Sequence, residues 1–495
     1  MFDWLEKVYV KIKDLSSSID NYKKDTVIQS LPSLTYVNRA KKFIEQDKLE
    51  EAEKILKEAM SLPQKDPLIF KYLGMVYERS GKNELAIANY QISADMNPHD
   101  KYIWQRLGFV LISAGKYDQA EKSFDNANKI QSGNTDTFTG WGMALMKQEK
   151  FKEAREKFAQ AVQINKYNFS AVFLCAVMEI KLEMYDKADT KLSFLANVNP
   201  NEGNTFEYAR LKAIKNDYNN AIFYAKKSLE YNPDMLPAYI LLGQIYGKMY
   251  DKENSLRNFE MAESRQLISA NLYHEWGKML QKFEESDNAS EKLQKAYDLN
   301  PENLEISASL GFSYVLKNDF DNAKPLLEKV LNKEPENMKI KQALAVIAYE
   351  QGDIDNAIVT FKSDDENAFN CYYLAKCYEK KGEDTKVRDY YESALRINEK
   401  FVSAYKDYVN FLISKNDFEE ARRKLRKALK FDENNLNLLN LMFYVNYILV
   451  KEQVCEYNLK ETLAIAEKIE NIDKDKFEYS VQKCELENLL KEIKN

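Results

Sequence analysis

The chain has 495 residues, 45% hydrophobic and 30% charged, with a formal net charge of −6. That length exceeds one ordinary compact core, and the interspersed charge excludes the basic stripe of a dedicated nucleic-acid protein. Only 14 Gly and 10 Pro interrupt it, so mostly helix is expected.

The first 32 residues carry an amphipathic stripe of Phe2, Leu5, Val8, Tyr9, Ile12, Leu15 and Ile19. Charges recur throughout it, and no apolar core or cleavage site marks a signal peptide. Its mixed signs (Asp3, Glu6, Lys7, Lys11, Lys13, Asp14) favour a capping helix over a membrane-lying one. From about residue 33 the chain repeats itself. "LGMVYERSGKNELAIANYQIS" at 73 to 93 returns as "LGFVLISAGKYDQAEKSFDNA" at 107 to 127 and "WGMALMKQEKFKEAREKFAQA" at 141 to 161. Repeats begin near 33, 67, 101, 135, 169, 202, 236, 270, 304, 338, 368 and 402, with a degenerate thirteenth from 436. Such a fixed period marks stacked units.

Within each repeat, position 8 is Gly or Ala in all but Val409, and position 20 is Ala except at Ser255 and Val387. Apolar residues at positions 4, 7 and 11 (Trp104, Leu107, Leu111) give one helix a stripe. Positions 20, 24 and 27 do so for a second helix. The small residues are expected to let the two backbones approach, with Tyr90, Phe124, Phe158 or Phe259 filling the adjoining gap. Turns such as "AGKYDQA" and "KNDFDNA" end one helix and cap the next. Pro at position 32 (Pro98, Pro200, Pro233, Pro301, Pro335) stops the second helix.

This pattern, W-x2-L-G-x2-Y followed by Ala, Phe, Ala and Pro, resembles the tetratricopeptide repeat. The resemblance covers about 33 to 435 and continues more weakly to about 471. It implies an all-α fold in which antiparallel helices A and B stack into a right-handed superhelix, its concave groove lined mainly by helix A. The expected organisation is a cap at 1–32, repeats over 33–367, repeats continuing over 368–471, and a C-terminal cap over 472–495. "FKSDDENAF", from 361 to 369, truncates a helix B where the two runs of repeats meet and is a candidate hinge, and Pro325 is expected to kink another. Phe477, Val481, Cys484 and Leu489 form the last cap's apolar stripe. "LNLLNLMFYVNYILV" at 436 to 450 is too short for a membrane span and reads as a buried helix.

No phosphate loop, zinc-ligand or nucleophile motif occurs, and repeats leave no room for a catalytic domain, so no enzyme, cofactor or metal is expected. The odd, widely spaced Cys175, Cys371, Cys377, Cys455 and Cys484 fit buried reduced thiols in a cytoplasmic protein. "RRKLRKALK" at 422 to 430 reads as a solvated convex face, and no nucleic-acid partner is expected.

By the family's geometry, positions 2, 5, 9 and 12 face the groove. The partner-binding residues expected on that basis are Met75, Tyr102, Phe109, Met143, Phe173 and Val177, then Phe206, Arg210, Gln244, His274, Lys278 and Phe312. The first set is apolar and Met-rich, suiting a peptide or helix, and the Arg210, Gln244, His274 and Lys278 set suits an acidic segment. Only Lys406 and Asn410 match the family's clamp for an acidic peptide C-terminus. The leading expectation is a non-catalytic scaffold holding a protein or peptide in the groove. The alternatives are an assembly or secretion factor with residues 1–22 at a membrane, and an RNA-binding repeat protein using the basic run.

Overall fold

The computed structural model describes residues 32–63, 65–473 and 476–494. The predicted N-terminal cap, Pro32 apart, lies outside the described residues. Those residues form helices and no strand, and successive helices pack as antiparallel pairs. First helices begin at residues 32, 67, 101, 135, 169, 202 and 236 in one compact unit, which among the described residues runs to Ile268. In a second unit, residues 269–495, they begin at 270, 304, 338, 368, 402 and 436.

Each pair closes on a small residue facing a large one. A methyl group added at Gly142 would lie 2.6 Å from Phe158 Cε1, and one at Gly243 would lie 2.5 Å from Phe259 Cζ. Gly74 and Gly108 stand in the same relation to Tyr90 and Phe124. At these four positions the glycine makes room for the partner's ring; at Gly277 and Gly311 an added methyl would also lie 3.3 Å from Ala289 O and 3.6 Å from Ala323 O, the close backbone approach that the sequence predicts. Tyr90, Phe124, Phe158 and Phe259 are fully buried, each contributing roughly 1.5–3 kcal/mol by burial.

The turn inside each of the first twelve pairs has one left-handed residue at position 15, with φ between 56° and 88°. In the turn after Lys147 the amide of Glu149 donates to Met146 O at 3.1 Å, and that of Lys150 to Leu145 O at 3.0 Å. These two bonds satisfy the helix's last carbonyls and fix the reversal. Gly fills position 15 at 81, 115, 352 and 382, but Glu149, Glu183, Tyr250 and Glu284 also occupy it. Side-chain caps sit mostly at the other end, where the first helices begin. Asn134 Oδ1 accepts from the amides of Asp136 and Thr137 at 2.9 and 3.0 Å. Second helices starting after Lys48, Lys82, Lys116 and Lys150 have no side-chain cap, whereas Asp217, Asp251, Asp319 and Asp353 supply one. Helices preceding Pro98, Pro200, Pro233, Pro301 and Pro335 all stop two residues earlier.

Pro325 lies within the helix Phe320–Lys333, which continues through it. The helix Ile354–Lys362 has only 9 residues, yet it buries Ala357, Ile358 and Phe361, and both its sides belong to the second unit.

The long apolar stretch forms the helix Leu436–Glu452, burying Leu438, Leu439, Met442, Phe443, Val445 and Val450. The last helix, Ser480–Lys494, packs there through Leu486, which is fully buried, with Leu489 and Leu490 beside it. Val481 and Cys484 are exposed, so the predicted stripe is displaced around the helix. Cys455 is exposed too, which corrects the expectation of five buried thiols. Burial of the other three pushes the Cys175 thiol up to about 12 and the Cys377 thiol up to about 11, and raises that of Cys371.

Candidate interaction surface

The predicted contact residues fall into three classes. Tyr102 is 51% exposed. Met75, Phe109, Phe206, Arg210, Gln244, Lys278 and Phe312 are half-buried. Met143, Phe173, Val177 and His274 are buried, each at most 6% exposed, and do not offer an open surface. The reason is clearest in the helix Phe169–Lys181, which buries every residue from Ala171 to Ile180. It packs against the helices before and after it and against the next first helix, Glu202–Ile214, so little of it stays open.

Position 5, expected to face a partner, instead tends to join one repeat to the next. Lys71 Nζ donates to Asp100 Oδ2 at 2.9 Å, and Asp100 caps the following first helix. Gln105 Nε2 donates to Asn134 Oδ1 at 3.0 Å and to Thr137 Oγ1 at 2.6 Å. Gln342 and Asn370 are joined at 2.8 Å, as are His274 Nε2 and Ser309 Oγ. Tyr372 Oη donates to Asp407 Oδ2 at 2.5 Å. Buried polar groups need such partners, and here the partner is supplied by the following repeat. Burial, reinforced by Lys278, holds the His274 imidazole below its usual range.

The cations of the middle block are already neutralised. Arg210 Nη2 lies 2.6 Å from Glu207 Oε2, and Lys278 Nζ lies 3.0 Å from Glu275 Oε1. Arg210 belongs to the first unit and Lys278 to the second. The pairing removes the free positive charge that an acidic segment would seek.

Family models match this array in three places. The model described as "Psidin, N-terminal TPR repeats region" covers residues 35–197. Two tetratricopeptide-repeat models cover residues 206–235 and 314–371. The chain is a tetratricopeptide-repeat protein. No curated protein matches it. Solved structures similar to this TPR chain include a tetratricopeptide repeat protein from Parabacteroides merdae, at 16% identity and a TM-score of 0.42, covering 49% of this chain and 97% of that one. The APC/C hetero-tetramer Cut9-Hcn1 matches at 13% identity and a TM-score of 0.42, covering 93% and 96%. YrrB, described as a TPR protein with an unusual peptide-binding site, matches at 18% identity and a TM-score of 0.31, covering 44% and 95%.

TPR proteins in general mediate protein–protein interaction, and their fold is typically a non-catalytic scaffold. Among the described residues no group of three or more His, Cys, Asp or Glu converges to hold a metal ion, and no helix is long and apolar enough to cross a membrane. In the second unit, residues that the sequence places at groove positions converge in an aromatic cluster. Lys376 Nζ stands 5.3, 5.4 and 5.4 Å from the ring centroids of Tyr349, Tyr372 and Tyr373. Phe369, 38% exposed, packs 4.8 Å from Tyr373. Phe369, Tyr372 and Lys376 sit at positions 2, 5 and 9 of one repeat and Tyr349 at position 12 of the one before, so Tyr373, at position 6, is the member that the groove rule leaves out.

Proposed function

We propose that this TPR chain is a non-catalytic scaffold that binds a partner peptide or helix along its first-helix surface. One observation carries the reading: Tyr102 keeps 51% of its surface in water on a first helix whose other large apolar groups are mostly withdrawn. Lys71 and Lys101 stand 5.8 and 4.8 Å from its ring. Met75 and Phe109, half-buried on the helices Pro67–Arg79 and Lys101–Ser113, extend the apolar character of that surface. In the second unit Phe369 offers a separate aromatic contact. Because the repeats bury their own framework, such a surface is preformed, and binding costs little reorganisation.

Affinity capture from native lysate with cross-linking mass spectrometry tests this. Cross-links concentrated on Lys71, Lys101 and their first-helix neighbours support it, as does loss of capture with Tyr102→Ala. Cross-links confined to second-helix faces, with Tyr102→Ala capturing as well as the parent chain, overturn it.

A further inference from the structure

The basic run "RRKLRKALK" forms most of the second helix Phe418–Ala428 and the turn after it. It does not lie on a plain solvated face. With the helix Asp384–Ile397 it encloses a cleft of about 830 Å³, and beside that one of about 340 Å³. Lys427, Lys430 and Glu392 line both.

Ion pairs divide the cations of this cleft into two kinds. Arg388 pairs with Asp417 at 2.9 Å, Arg422 with Glu419 at 2.8 Å, and Arg423 with Glu420. Lys424, itself 4% exposed, joins Glu392 and Glu420. Arg426 reaches out to Glu461 at 2.9 Å. The arginines that make the run look like a nucleic-acid site are thus spent within the fold. Arg396, Lys427 and Lys430 remain, all exposed and without an ion pair or side-chain hydrogen bond among the described residues. They line the smaller cavity together with Phe431, which is 42% exposed, and outnumber its two carboxylates, Glu399 and the Lys424-paired Glu392; Leu395 and Tyr405 lie beneath them, buried.

We propose that this cleft, on the second-helix side of the second unit, is a docking site for an acidic peptide segment that also carries an apolar residue. Three unpaired cations answer carboxylates, and the exposed Phe431 answers the apolar side chain. A polyanionic strand fits poorly, because its evenly spaced phosphates would face Asp389, Glu392, Glu419 and Glu420 along the larger cavity. The site is distinct from the first-helix surface proposed above, so this chain would hold two partners, or two parts of one.

The test uses the full chain and a short fluorescein-labelled peptide rich in glutamate and leucine, read by fluorescence anisotropy at physiological salt. Its glutamine-for-glutamate counterpart and a single-stranded RNA oligonucleotide serve as competing probes. The variant Arg396→Gln/Lys427→Gln/Lys430→Gln removes only exposed, unpaired charges and is expected to weaken the acidic peptide roughly tenfold or more. Lys324→Gln/Lys333→Gln/Lys339→Gln, which removes as much charge elsewhere in the unit, is expected to leave it unchanged. Equal loss in both triple variants, no binding of the acidic peptide, or its displacement by the RNA from the parent cleft each overturns the proposal.

Discussion

Gly142 gives up about 1 kcal/mol of helix propensity relative to alanine, and the fold supplies a reason that can be measured. A methyl group there would lie 2.6, 2.8 and 2.9 Å from Phe158 Cε1, Cδ1 and Cζ. Unstrained carbon contacts run about 3.5–4.0 Å, so the ring must retreat by about 1 Å. Phe158 is fully buried, so the ring cannot retreat into solvent. Overpacking of this kind costs roughly 1–3 kcal/mol, against which the propensity gain returns about 1 kcal/mol. Ala345 with Phe361 and Ala375 with Tyr391 occupy the equivalent positions, all buried, so a ring set slightly back tolerates the methyl. The expected net loss for Gly142→Ala is therefore about 1 kcal/mol. With Phe158→Leu already in place, a pairing that occurs naturally as Ala176 with Leu192, the same change is expected to stabilise. The coupling between the two sites is then about 1–3 kcal/mol. Urea denaturation combined with amide exchange over residues 135–164 reads this locally, since a two-unit array does not unfold as one two-state system. If Gly142→Ala stabilises equally in both backgrounds, the ring is not what excludes the methyl.

Replacing Glu149, Glu183, Tyr250 and Glu284 with glycine relieves left-handed backbone that side chains resist. Each change is expected to add about 0.5–1 kcal/mol, seen as a cumulative rise in thermal midpoint; a fall would refute the turn geometry. Met143→Lys places a charge where the parent side chain is 4% exposed and is expected to cost about 3 kcal/mol or more. A melting curve like the parent's would return Met143 to the open surface. Because the folded His274 binds its proton less readily than the unfolded one, stability is full above about pH 6.5 and falls as pH drops below it. His274→Gln, which keeps a partner for Ser309, should flatten that limb in pH-dependent denaturation. An unchanged slope would place the titration elsewhere.

How much the sequence disclosed depended on how local the cause was. The facing of Gly142 and Phe158 lies within one pair, so a period and a residue type announce it. The role of Lys71 or Gln105 depends on a capping residue about thirty positions later, and a helix-face rule that ends at the repeat boundary sends these side chains to the groove. Phe173 and Val177 were misplaced for a related reason: a first helix flanked by neighbours on three sides buries residues that a two-helix view leaves open. Val481 and Cys484 look like core by periodicity, but Leu486 is the residue that meets Phe443 and Leu459 in the same cluster. The "RRKLRKALK" run reads as a solvated face because two of its pairing partners, Glu392 and Glu461, come from other helices.

The links from Lys71 to Asp100 and from Gln105 to Asn134 reach forward to the cap of the next repeat. Others reach back: Arg79 donates to Ile44 O, and Lys116 and Lys150 donate to Glu84 and Glu121. A pair cut from either end of the stack therefore strands a polar group on the pair left behind. On the ribosome, the forward links form only when the start of the successor has emerged, whereas the backward ones find their acceptors already made.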